Sequence, residues 1–94
     1  MLSQLPIKMD KILGKTLDAE ILRAAIIAEL DAINLYEQFA EATENEDLKK
    51  VLLEVAREEK THVGEFQTLL LKLDKEQVEE LENGEKEVEE LTKP

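Results

Sequence analysis

The sequence has no cysteine and no tryptophan, and only 3% of its 94 residues are aromatic. Disulfides are therefore excluded, so a chain this small must rely on an aliphatic core supplemented by oligomerisation or a bound metal. The longest uninterrupted apolar run, Ala24–Ala28, is far shorter than the roughly 20 residues that a membrane-spanning helix needs. We expect no membrane segment, and the lack of cysteine fits the reducing cytoplasm.

Basic residues are also scarce: 12 lysines and arginines stand against 23 acidic residues, which gives a formal net charge of −11. A surface of this sign repels phosphate backbones, so we expect no nucleic-acid partner. The same surface raises the local concentration of cations, including divalent metals. Solubility alone would also explain the charge.

Proline and glycine are rare, with two and three copies: the segment 17–43 contains neither, and the segment 46–73 contains only Gly64. Short connections between long helices produce antiparallel neighbours, so we predict an αα-hairpin at the centre of a single domain. Asp74 and Gln77 suit the start of a third helix, which Asn83–Gly84 should stop or kink. The predicted elements of the domain 1–94 are an irregular arm over 1–16, helices over 17–43 and 46–73, and a short or kinked helix over 75–92.

Three polar residues interrupt the apolar seams of the two long helices. A seven-residue spacing marks the face that paired helices bury against each other. Glu29 and Tyr36 occupy such a row in the first helix, and Glu59 and His62 occupy two adjacent rows in the second. The three rows are Leu22, Glu29, Tyr36 and Thr43; Leu48, Val55, His62 and Leu69; and Leu52, Glu59, Phe66 and Leu73.

The hairpin geometry predicts that Glu29, Glu59 and His62 meet. Glu29 lies 16 residues before Asn45 and Glu59 lies 14 after it, so their levels differ by only about 3 Å at a rise of 1.5 Å per residue. Two buried carboxylates beside one imidazole need a compensating charge. A divalent cation would supply it, and this donor set suits Fe, Mn or Zn.

The sequence leaves two other interpretations of these polar residues open. Polar seam residues can serve only to fix helix register or partner number. Glu29 could instead form a salt bridge with Lys60 or Arg57. Tyr36 could be an aromatic side chain of the core, or its hydroxyl could form a hydrogen bond with a metal ligand.

Three ligands are too few for a dinuclear centre, whereas two copies of the chain supply four carboxylates and two histidines. Ferritin-like di-iron bundles use this set: two helices each give a Glu, and two others each give Glu-x-x-His. Here Glu29 is the lone Glu, and Glu59-Lys60-Thr61-His62 is the Glu-x-x-His motif. We therefore predict an all-α, ferritin-like hairpin whose four-helix bundle is completed by dimerisation.

Two segments resemble the encapsulated ferritin-like proteins, which are the cargo of encapsulin nanocompartments. They are 28–40, AELDAINLYEQFA, and 55–73, VAREEKTHVGEFQTLLLKL. The specific features are a Glu followed seven residues later by Tyr, and a Glu-x-x-His that begins thirty residues after that first Glu. The resemblance extends less firmly over about 20–91.

The resemblance implies a ferroxidase that oxidises Fe(II) at a di-iron site between two subunits and passes the iron to the shell lumen for storage as mineral. It places Glu29, Glu59 and His62 at the iron-ligand positions and Tyr36 beside them. Asp31 is implied as a secondary cation ligand, although Ala28 replaces the acid that accompanies it in some members. Ca, Mn or Zn are possible substitutes for iron.

The resemblance also implies the partners: a homodimer, a ring of dimers such as a decamer, and an encapsulin shell that encloses the protein in the cytoplasm. Two alternative functions remain. One is a structural or adaptor helical dimer that binds a non-redox metal or none. The other is a rubrerythrin-like di-iron peroxidase, which is disfavoured because the chain has no cysteines for a rubredoxin-like iron site.

Overall fold

A computed structural model describes residues 14–94 and contains three helices: α1, Gly14–Ala42; α2, Glu46–Leu73; and α3, Lys75–Leu91. Within these residues there is no strand, so the predicted all-helical fold is confirmed. α1 and α2 pack along their lengths, and the backbone of α3 approaches only that of α2. No helix in the described part of the chain combines the length and apolar character needed to cross a membrane.

Two details of the helices differ from the prediction. α1 begins at Gly14, three residues before the predicted start, and Gly14 has a φ of 67°, in the left-handed region that glycine tolerates. The remainder of the predicted arm, 1–13, lies outside the described residues. α3 continues through Asn83–Gly84 because Gly84 keeps a negative φ and the Asn83 amide donates hydrogen bonds to Glu80, one turn earlier.

The turn of the hairpin is short and is closed by its own polar side chains. The Asn45 side chain accepts a hydrogen bond of 2.9 Å from the Leu48 N–H, which caps α2. The Asn45 N–H in turn donates to the Thr43 hydroxyl at 3.1 Å. Glu46 and Asp47 then lie in the first turn of α2, where the helix dipole favours acids. This turn fixes which levels of α1 and α2 face each other.

The buried residues are mainly alanines, which lets α1 and α2 approach closely. The buried set among the described residues is Ala19, Ala24, Ile33, Ala40, Ala56 and Leu70. Many larger apolar side chains remain exposed in both helices, among them Ile21, Ile27, Leu30, Phe39, Leu48, Val51, Leu53 and Leu69. Exposed apolar surface on this scale is typical of a chain that associates with another protein surface.

Ala56 lies in α2 with only 1% of its surface exposed. Because a leucine there would force the two helices apart, we expect Ala56→Leu to lower the free energy of unfolding by about 1–3 kcal/mol. Urea denaturation followed by circular dichroism would measure the change. Ala42→Leu, at the exposed end of α1, is the control and should be nearly neutral. Equal losses in both variants would contradict close packing at Ala56.

Candidate metal centre

The structure brings together Glu29 from α1 with Glu59 and His62 from α2. One donor atom from each residue can be chosen so that all three lie within 4.8 Å of one another. The Nδ1 atom of His62 lies 3.4 Å from Oε2 of Glu29 and 3.5 Å from Oε2 of Glu59. Glu59 and His62 converge because residues three apart share a helix face. Glu29 reaches them because the short turn aligns its level with theirs.

The two carboxylates are largely shielded from solvent, whereas the imidazole is not. The side chains of Glu29 and Glu59 are 18% and 19% exposed, and that of His62 is 43% exposed. Oε2 of Glu29 is buried and has no hydrogen-bond partner among the described residues. A buried, unpaired carboxylate oxygen is costly, and one imidazole supplies at most one positive charge for two acids. The donor set therefore fits a divalent cation.

The salt-bridge alternative for Glu29 is wrong, because both proposed partners are engaged elsewhere. Nζ of Lys60 lies 3.0 Å from Oε2 of Glu37. Nε of Arg57 donates to both carboxylate oxygens of Glu54, at 3.0 and 3.1 Å. The hydrogen bond from Arg57 lowers the pKa of Glu54 below its usual value. Within the described residues, His62 is the only basic side chain in a recorded ion pair with Glu29.

Tyr36 and Asp31 lie outside the three-residue cluster. Tyr36 is half-buried, two helical turns beyond Glu29, and its hydroxyl forms no hydrogen bond with a described residue. Asp31 is two residues from Glu29, so it leaves the helix in a nearly opposite direction. Its Oδ2 atom is buried without a hydrogen-bond partner in the described part of the chain. The predicted secondary role of Asp31 stays a prediction.

The sequence reasoning overlooked two features near these residues. Oε2 of Glu20 is also buried and unpaired within the described chain. Glu20 and Asp31 are eleven residues apart, which is about three helical turns. This spacing could have indicated that the two acids share one face of α1. No local sequence pattern indicated the Glu37–Lys60 ion pair, because the two residues come from different helices.

A hairpin with a Glu on one helix and Glu-x-x-His on the other defines half of a ferritin-like carboxylate bundle. Comparison with known proteins agrees, since residues 20–94 match the family model described as Rubrerythrin. The chain belongs to this rubrerythrin family of ferritin-like proteins, and within it to the encapsulated ferritin-like proteins. The predicted resemblance is thereby confirmed.

Two curated relatives and one solved structure support this assignment. The chain is 64% identical over 86 residues to a ferritin-like–encapsulin shell fusion protein of Pyrococcus furiosus, covering 92% of this chain and 25% of that protein. It is 49% identical over 59 residues to the encapsulin nanocompartment cargo protein EncC of Myxococcus xanthus, covering 63% and 45%. The crystal structure of the encapsulated ferritin domain from Pyrococcus furiosus matches with a TM-score of 0.85 and 61% identity, over 96% of this chain and 92% of that one. The chain thus spans a quarter of the length of the first curated relative and under half of the length of the second.

Proposed function

We propose that this protein is a ferroxidase whose site is formed by Glu29, Glu59 and His62 from each of two copies of the chain. The observation that carries the proposal is the cluster itself: Oε2 of Glu29 is buried without a hydrogen bond to a described residue, lies 3.4 Å from Nδ1 of His62, and is beside a second shielded carboxylate. One chain supplies half of a di-iron ligand set, and a two-fold dimer supplies the whole set.

The chemistry follows from the donor types. Fe(II) is the substrate: the two ions of one site would give one electron each to O₂, which would take up two protons and leave as hydrogen peroxide. The carboxylates of Glu29 and Glu59 offset the charge of the ions and favour the harder Fe(III), while the Nδ1 atom of His62 completes the ligand set. The exposed apolar side chains of α1 and α2 provide surface for a second copy to cover, which would exclude water from the two carboxylates.

The names of the relatives support a further part of the proposal. One is an encapsulin shell fusion protein and the other is an encapsulin nanocompartment cargo protein. We therefore place this protein inside an encapsulin nanocompartment in the cytoplasm, where its Fe(III) product would be stored. The ring of dimers and the secondary cation role of Asp31 belong to the same proposal.

Metal binding and oxidation together test the proposal. Protein purified without oxygen should bind one Fe(II) per chain in equilibrium dialysis, and it should oxidise that iron when O₂ is admitted, as measured by the near-ultraviolet absorbance of Fe(III). Absence of bound iron would favour the adaptor alternative. The match to the rubrerythrin model makes a peroxidase the second candidate. Consumption of peroxide with a reductant, faster than any reaction with O₂, would favour that function instead.

A further inference from the structure

α3 extends from the hairpin with little packing to fix its direction. Only one residue, Asp74, separates the end of α2 from the start of α3. None of the residues of α3 is fully shielded: Val78 near its start is half-buried, and Leu81, Val88 and Leu91 are 44%, 59% and 84% exposed. A helix that buries so little cannot take its orientation from a core. Its direction must depend on contacts at the junction.

Asp74 makes hydrogen bonds to all three helices. Its backbone N–H donates to the carbonyl of Leu70 in α2 at 2.9 Å. Its Oδ1 atom accepts from the N–H of Gln77 in α3 at 3.1 Å, which confirms the predicted cap. Its Oδ2 atom accepts from Nη2 of Arg23 in α1 at 2.8 Å. The two oxygens of one carboxylate are thus divided between α3 and α1.

An open cleft lies beside the ion pair at this junction. The cleft has a volume of about 360 Å³. Arg23 and Asp74 both line it, together with Thr16, Ala19, Leu73, Lys75 and Glu76. Among the described residues, the Arg23–Asp74 pair is the only side-chain hydrogen bond between α1 and the residue at the base of α3, and the backbones of α1 and α3 do not approach each other.

We propose that the Arg23–Asp74 ion pair is a latch that fixes the direction of α3 relative to the hairpin. The hydrogen bond from the N–H of Gln77 and the Arg23 guanidinium hold the pKa of Asp74 below its usual value. With the latch closed, α3 presents its exposed apolar side chains in one orientation. The latch is independent of the metal chemistry, and either proposal can fail without the other.

Spin labels measure the direction of α3 directly, and the absence of cysteine allows labels at chosen positions. Cysteines would replace Glu41 in α1 and Glu87 in α3, both of which are exposed. Labelled chains would be diluted with unlabelled ones, so that double electron–electron resonance reports distances within one chain. We expect one narrow distance distribution for the otherwise native chain. Arg23→Met, which keeps the aliphatic stem, should widen it about twofold or more.

Two further variants separate the latch from the helix cap. Asp74→Asn keeps an oxygen that can cap Gln77 but removes the charge, so it should widen the distribution while circular dichroism shows unchanged helix content. Glu90→Gln breaks the Glu90–Lys93 ion pair near the C-terminus of the chain and should leave the distribution narrow. A broad distribution in the native chain, or a narrow one in both Arg23→Met and Asp74→Asn, would overturn the latch.

Discussion

Replacing Glu59 by alanine is expected to reduce the rate of Fe(II) oxidation by more than about 100-fold, because even residues that only support metal ligands contribute 10–100-fold. In the proposed dimer each chain carries the substitution, so the site loses two of its four carboxylates. The charge that offsets the bound ions is then halved. Stopped-flow measurement of Fe(III) formation under limiting Fe(II) would determine the rate.

Glu58→Ala is the matched control for this experiment. Glu58 precedes Glu59 in α2, is exposed, and lies outside the cluster of Glu29, Glu59 and His62. Both variants remove one negative charge per chain and add the same small side chain. A general loss of attraction for cations would slow the two variants equally, which would contradict a ligand role for Glu59. We expect Glu58→Ala to retain most of the native rate.

The convergence of Glu29, Glu59 and His62 was accessible from the sequence because each step depended on local rules. The lack of proline indicated two long helices, the seven-residue spacing indicated their inner faces, and the short turn set the relative level of the two helices. A tight connection leaves no freedom for α2 to slide along α1. A long loop would have removed this last constraint.

Other features could not be predicted because they depend on tertiary contacts. Arg23 and Asp74 are 51 residues apart, and neither helix has a pattern that selects one of its many charged residues as a partner for the other helix. The start of α1 differs from the predicted residue 17, and the positive φ of Gly14 is a backbone conformation that no spacing of apolar residues indicates. The continuity of α3 was missed because a glycine weakens a helix by about 1 kcal/mol without necessarily ending it.

Metal removal is expected to dissociate the proposed dimer. Two-fold pairing would bring four carboxylates together around two histidines, and within one chain Oε2 of Glu29 already has no hydrogen-bond partner among the described residues. Burying such charges without compensation costs several kcal/mol, which weakens association by about 100-fold or more. Sedimentation velocity at micromolar protein should therefore show a large decrease in mass after treatment with a chelator, and recovery after Fe(II) is added. An unchanged mass distribution would contradict this expectation.

The double variant Glu29→Gln, Glu59→Gln tests whether charge is the cause. An amide has nearly the same shape as a carboxylate but carries no charge, so the repulsion between the two chains should disappear together with metal binding. We expect this variant to remain associated in the presence of the chelator, since the apolar surfaces of α1 and α2 are unaltered. Dissociation of the double variant would mean that the metal bridges the chains by coordination, and that relief of charge repulsion contributes little. Association of the double variant without metal would instead show that repulsion between the native carboxylates opposes dimerisation when no iron is bound.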